Sequence, residues 1–163
     1  MDQPLPAPEG DTSRIPTAIA TLFGIGFSPF APGTVASAVA LPLAWLIAWA
    51  GGRFVLLLAA ILACAIGAWA CELYVHAKQD KDPSECVIDE LAGQWIVCAF
   101  APHTLLAYAL AFVLFRLFDI TKMWPINEVE RRVPGGLGIM ADDVVAALIG
   151  GAIITALAGF GLL

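Results

Sequence analysis

An all-α fold, a multihelical bundle embedded in a membrane, is predicted by three observations. Hydrophobic residues make up 60% of the 163-residue chain, and mean hydropathy is +0.86. Apolar runs of helical length recur along the sequence. Charged residues are only 13% of the total and gather in a few short connections between those runs. Together these features predict about four to five membrane helices, preceded by a short amino-terminal interfacial helix.

Residues 1–14 hold three Pro, one Gly and three acids, too little apolar surface to offset the entropy of ordering, so a disordered tail is expected there. Residues 15–163 then form a single membrane-embedded domain. Its first apolar segment, 15–27, carries Pro16 early in the first turn and is about 13 residues long, which suits a surface helix better than a span. Residues 24–37 contain three Gly and two Pro and read as a loop that feeds a helix, with Thr34 or Ser37 as its cap. The apolar run 35–50 rises about 24 Å as a helix, short of a hydrocarbon core of about 30 Å. Gly51, Gly52 and Arg53 turn the chain into a second run, 54–71, and the two make a helical hairpin.

The first charged connection spans residues 72–90 and passes through the turn signal Asp82-Pro83. A third run, 87–101, starts with Asp89 and Glu90 in its first turn, where carboxylates complement the positive helix end. An adjacent acid pair at the lip of an apolar helix also suits a bound cation, because a mid-membrane Asp costs about 3 kcal/mol. Pro102 and His103 break the chain before a fourth run, 104–118, which ends in Arg116, Asp119 and Lys122 at helical spacing. Residues 127–132 form a charged amphipathic piece. Gly135, Gly136 and Gly138 give a flexible approach to Asp142 and Asp143, which cap the last run, 144–163.

Residues 115–143 hold 4 of the 8 basic and 5 of the 14 acidic residues, a density of charge that lipid does not tolerate. With so few bases, a nucleic-acid partner is excluded as a reading. The four cysteines form no C-x-x-C pair and three lie in apolar runs, so neither a disulfide nor zinc is expected. If the amino end is cytoplasmic and all five runs span, seven basic residues fall inside and only Arg53 outside, as the orientation rule requires. Arg131 and Arg132 either bind anionic headgroups or simply follow that rule. The same topology brings the 28–37 loop, Asp82 to Glu90, the Arg116 to Lys122 end and the Asp142-Asp143 pair to one side.

Carboxylates from three helix ends are hard oxygen ligands and point to Mg²⁺ more than to zinc or copper. The unpaired N–H groups near Gly33, with the helix dipole, offer an anion site, although the same loop also reads as a capped membrane-entry turn. No G-K-[ST] follows, so it is not a nucleotide-binding P-loop. A metal, basic groups and an anion-binding loop are the equipment of phosphoryl transfer or hydrolysis, and at a bilayer the substrate is a phospholipid. Two other classes compete. A small membrane transporter needs its acids near mid-span, whereas an accessory membrane subunit would leave a structural acidic cluster idle.

Four ordered blocks resemble the phosphatidylglycerophosphatase A family: G-I-G-F-S-P-F-A-P-G-T-V-A-S at 24–37, D-P-S-E-C-V-I-D-E-L-A-G at 82–93, F-R-L-F-D-I-T-K-M-W-P-I at 115–126 and G-G-L-G-I-M-A-D-D at 135–143. The chain departs from the usual pattern at Met123, where the family has Pro, and at Ala36, where it has Gly. Both are backbone positions, and neither removes a charged group. The resemblance implies an Mg²⁺-dependent hydrolase of the bacterial inner membrane. It would convert phosphatidylglycerophosphate to phosphatidylglycerol and phosphate on the cytoplasmic side. It also implies Asp82, Asp89, Glu90, Asp119, Asp142 and Asp143 as metal ligands or base, with Arg116 and Lys122 clamping phosphate. Within that set we expect Asp89, Glu90, Asp143 and Asp82 at the metal and Asp89, Asp119, Arg116, Lys122 and Asp142 in catalysis. Ser28, Gly33, Thr34 and Ser37 are expected at the phosphate, beside Arg116 and Lys122. The oligomeric state is left open.

Overall fold

The computed structural model describes residues 14–80 and 83–163, which form six α-helices and one 3-10 turn, with no strand among them. The order is α1 (Arg14–Ala20), the 3-10 turn Ile25–Phe27, α2 (Pro32–Lys78), α3 (Ile88–Phe100), α4 (Leu105–Thr121), α5 (Ile126–Arg132) and α6 (Gly135–Gly159). Most of the expected disordered tail lies outside the described residues, and Arg14 already opens α1.

The long helix α2 is two helices in sequence, because Gly52 leaves the helical region at φ 75°, ψ 176°. Glycine tolerates that backbone without steric cost. Gly33 in the first half packs on Glu90 and Gly67 in the second on Ile88, so both halves lie against the start of α3. The chain therefore reverses at Gly52, and the expected hairpin is present. Its turn is tighter than expected, since Gly51 and Arg53 keep helical geometry. The first half is also longer than expected, because the helix begins at Pro32, where the missing N–H of proline is no loss.

Small residues allow the close packing. Ala36, Ala40, Ala44, Ala60 and Ala70 are fully buried along α2, the pattern by which helices approach one another when lipid is the solvent. Two apolar clusters result, one joining α2 to the start of α3 and of α6, the other joining α2, α3, α4 and α6 around Phe115 and Leu56. Many large apolar side chains face outward, among them Trp49, Phe54, Leu58, Leu62, Leu106 and Val113. An outer surface of this kind fits a membrane-embedded chain. Two helices, α2 and α6, are long and apolar enough to cross a bilayer. At 13 and 17 residues, α3 and α4 rise only about 20 and 26 Å, less than a hydrocarbon core of about 30 Å.

The carboxyl-terminal helix differs from its expected form. It starts at Gly135, eight residues before Asp143, so Asp142 and Asp143 lie two turns inside it and do not cap it. The glycines there serve close contact. A Cβ on Gly136 would strike the Ala68 carbonyl and the Glu72 amide, and one on Gly138 would strike the Val133 carbonyl. The first-turn amide of Gly136, which has no acceptor within the helix, is satisfied from α2, where Glu72 Oε2 accepts its N–H at 2.6 Å.

A second difference concerns the cysteines. Cys71 and Cys86 pair as a disulfide with Cα atoms 6.6 Å apart, while Cys64 and Cys98 remain free thiols. The α2 helix runs past Cys71 to Lys78 before the chain returns, and this places Cys71 opposite the segment leading into α3. No sequence spacing rule encodes that meeting.

The molecule has two chemically distinct ends. At one, Gly52, Arg53, His103 and Tyr108 line a largely apolar cavity. There His103 stacks on Trp45 at 3.8 Å between ring centroids, and its Nε2 lies 3.2 Å from the Trp45 carbonyl. The other end gathers the charge.

Candidate active site

Helix α3 begins after an uncapped Val87, and its first turn carries Asp89 and Glu90 inward instead of out to solvent. Across from them, α6 presents Asp143, which is 3% exposed. One carboxylate oxygen from each of these three residues lies within 4.8 Å of the others. Asp89 Oδ1, Glu90 Oε2 and Asp143 Oδ2 are buried and have no hydrogen-bond partner. Buried carboxylate oxygens left unpartnered are costly, and a hard divalent cation would satisfy all three at once. The donor set fits such an ion.

Helix α4 supplies the basic side. Arg116 and Asp119 are one turn apart, and Arg116 Nη1 lies 2.5 Å from Asp119 Oδ2 as an ion pair without the alignment of a hydrogen bond. The same nitrogen is 3.6 Å from Glu90 Oε1, and Arg116 Nε has no partner. The guanidinium thus retains donors for a ligand while its position is fixed. Lys122 is the C-cap of α4, in left-handed conformation at φ 42°, which turns its side chain toward α6. Its Nζ donates to Asp142 Oδ2 at 3.0 Å and to Glu130 Oε1 of α5 at 2.6 Å. Burial works against the ammonium charge, but the two carboxylate partners outweigh it and raise its pKa. Lys122 is therefore a fixed cation at ordinary pH.

All of these groups, Asp89, Glu90, Arg116, Asp119, Lys122, Asp142 and Asp143, line one cavity of about 310 Å³. Gly33 at the start of α2 completes it. A Cβ at Gly33 would collide with the Glu90 carboxylate and crowd Arg116, so only glycine lets α2 approach this closely. The N–H groups of Gly33 and Thr34 precede the first bond of the helix, from Val35 to Ala31. Five carboxyl groups against two bases leave the cavity an acidic excess. An anionic substrate needs a cation there as well as the two basic side chains.

The other predicted phosphate donors do not gather here. Ser28 Oγ turns back on its own loop, donating to the Phe30 carbonyl at 3.1 Å. Ser37 is fully buried with an unpartnered Oγ, and neither it nor Thr34 lines the cavity. The reason is the early start of α2. Ala31 is the N-cap, with no side-chain cap, so Thr34 and Ser37 lie inside the helix and do not cap it. Asp82 lies outside the described residues. Sequence reasoning missed Glu130, whose only signal was an acid eight residues after Lys122. It also missed Ser84 and Cys86 on the cavity wall. Nearby, Lys78 and Glu85 pair at 2.5 Å, and the bond holds the Glu85 carboxyl below its usual pKa.

The phosphatidylglycerophosphatase A family model matches residues 18–158, which takes in every helix that contributes to this cavity. The chain belongs to that family. Among its relatives, phosphatidylglycerophosphatase A of Escherichia coli (strain K12) is 36% identical over 83% of this chain and 79% of its own length. The Haemophilus influenzae protein of the same name is 34% identical over 80% of each. A Bacteroides thetaiotaomicron protein named a putative phosphatidylinositol-3-phosphatase is also 36% identical, over 83% of this chain and 89% of its own. No solved structure matches significantly. Family membership is thus carried by sequence along most of the chain, and the convergent carboxylates give it a physical centre.

Proposed function

We propose that this protein is an Mg²⁺-dependent lipid phosphatase that hydrolyses phosphatidylglycerophosphate to phosphatidylglycerol and phosphate at the cytoplasmic face of a bacterial inner membrane. The observation that carries the reading is the meeting of Asp89, Glu90 and Asp143, with unpartnered buried oxygens, opposite Arg116 and Lys122 in a single cavity. Two relatives named phosphatidylglycerophosphatase A support the substrate.

Asp89, Glu90 and Asp143 would hold the cation, with Asp82 as a further ligand on the sequence pattern alone. A bound Mg²⁺ supplies charge stabilisation of phosphoryl oxygens and acidification of a water. Arg116 and Lys122 take the remaining oxygens of the terminal phosphate, and Asp119 fixes Arg116 in place while Asp142 and Glu130 fix Lys122. The α2 amino terminus at Gly33 adds backbone N–H groups and the positive end of its dipole. Water attacks phosphorus and loses its proton to Asp119 or Asp142, the lining carboxylates outside the cation cluster. The ester bond to the glycerol oxygen breaks, and that oxygen takes up a proton. Most of the catalysis is positioning and charge stabilisation, as phosphoryl chemistry requires.

The outer apolar surface and the two span-length helices α2 and α6 support membrane placement, with α3 and α4 as shorter crossings that thin the bilayer locally. The site end carries Lys78, Arg116, Lys122, Arg131 and Arg132, whereas Arg53 lines the far cavity, which supports a cytoplasmic site. Acids gathered at one end fit a transporter poorly. The competing substrate is phosphatidylinositol 3-phosphate, on the strength of the Bacteroides relative's name.

Phosphate release from a panel of lipid phosphomonoesters in neutral detergent micelles tests the reading. Phosphatidylglycerophosphate should be the best substrate by kcat/KM. Release from another headgroup monoester with none from phosphatidylglycerophosphate would keep the site and replace the substrate.

A further inference from the structure

Beside the catalytic cavity lies a larger one of about 500 Å³, and Lys122, Ile139 and Asp142 belong to the walls of both. Its remaining lining is mixed. Val75, Val133, Pro134 and Ile139 give it an apolar wall, and Glu72, Glu130 and Arg131 carry its charge, with His76 beside Glu72. Nearly every one of those charges is already committed. Glu72 accepts from the Gly136 amide at 2.6 Å and holds His76 at 2.9 Å. Glu130 and Asp142 both hold Lys122. The side chain of Arg131, an exposed residue, alone has no ion pair, hydrogen bond or ring contact among the described residues. Its neighbour Arg132 is unlike it in this respect, being paired with Glu128 at 2.7 Å through two of its nitrogens.

We infer that this second cavity is a subsite for the phosphodiester of the substrate lipid and that Arg131 is the residue that recognises it. The inference rests on the proposed lipid phosphatase reading. The proposed substrate carries two phosphates, a terminal monoester and a diester that leads to the acylated glycerol. A monoester held by Arg116 and Lys122 leaves the diester one glycerol spacer away. The adjoining cavity offers it one uncommitted guanidinium and an apolar wall for the start of the acyl-bearing glycerol. Guanidinium pairs with phosphate oxygens through two parallel N–H bonds, so the contact selects for a second anionic group at that distance. A soluble phosphate monoester has nothing to place there. Arg131 is thus a specificity-determining residue that separates phospholipid headgroup monoesters from other phosphates.

The test compares wild type with Arg131→Gln, Arg131→Lys and Arg132→Gln in non-ionic micelles, where the only phosphodiesters are those of substrate and product. Three quantities are read: KM and kcat for phosphatidylglycerophosphate, inhibition by phosphatidylglycerol, which retains only the diester, and inhibition by inorganic phosphate. In Arg131→Gln, the KM and the phosphatidylglycerol inhibition constant should each rise about tenfold, the usual scale for losing a charge-assisted contact. Its kcat should stay within about twofold and its inorganic phosphate inhibition should be unchanged. Arg131→Lys should recover part of the loss, and Arg132→Gln should match wild type. An Arg131→Gln protein indistinguishable from wild type overturns the inference while leaving the phosphatase reading intact. So does a parallel rise in the inorganic phosphate constant, which would place the arginine at the reacting phosphate. An effect that emerges only when anionic lipid is added to the micelles assigns Arg131 to bulk headgroups and overturns the subsite. Absence of release by wild type sinks the phosphatase reading itself.

Discussion

Lys122 Nζ lies 3.0 Å from Asp142 Oδ2, joining the carboxyl end of α4 to the second turn of α6 across the wall shared by the two cavities. A lysine held by two carboxylates is a fixed charge, which is what a developing phosphoryl oxygen needs. Replacing Lys122 by Met should lower kcat/KM about 10²-fold or more, the scale found for deleting one positioned electrostatic group. Asp142→Asn should also lower activity, and the double variant should lose less than the sum of the two, because the residues act as one unit. Phosphate release kinetics on the four proteins measure that coupling.

Gly33→Ala should damage the site without unfolding the chain. Its added methyl meets the Glu90 carboxylate, the movable end of a side chain, so the displacement falls on the metal cluster. The expected result is a marked rise in the Mg²⁺ concentration needed for half activity, read by titration, with a thermal midpoint close to wild type.

Gly136→Ala should do the opposite. Here the methyl meets the backbone of Ala68 and Glu72, which has no rotamer to give, and overpacking of this kind costs about 1 to 3 kcal/mol. A fall of several degrees in the thermal midpoint in detergent is expected. Gly159→Ala is the control, because a Cβ there meets nothing within 4 Å and the midpoint should not fall.

The far end of the bundle should be separable from catalysis. His103→Ala removes the stack on Trp45 and the bond to its carbonyl, and should cost about 1 kcal/mol of stability. Its kcat/KM should stay within about threefold of wild type in the same assay.

Charge was the readable signal in this sequence. In so apolar a chain, Asp89, Glu90, Arg116, Asp119, Lys122, Asp142 and Asp143 stand out, and the structure brings all seven to one cavity. The hairpin was also readable, because Gly51 and Gly52 interrupt two apolar runs. Backbone detail was not. Gly135, Gly136 and Gly138 look like a flexible lead-in, yet Gly135 turns the chain at φ 70° while Gly136 and Gly138 are helical and serve close contact with α2 and the Val133 carbonyl, a tertiary demand that leaves no local trace. Likewise Thr34 and Ser37 look like caps, but Pro32 starts the helix one turn earlier and turns Ser37 into the packed interior. The Cys71–Cys86 pair and the Glu130 to Lys122 bond depend on distant elements meeting, which no spacing rule anticipates.

The central claim is that Asp89, Glu90 and Asp143 form a cation site on which lipid phosphate hydrolysis depends. Its most direct measurement is phosphate release from phosphatidylglycerophosphate by the purified protein as Mg²⁺ is removed by chelation and then restored, with Asp89→Asn alongside. The account predicts no release after chelation, recovery on adding Mg²⁺, and little activity in Asp89→Asn at any accessible Mg²⁺ concentration. Release at full rate in the chelated protein, or in Asp89→Asn, would contradict it.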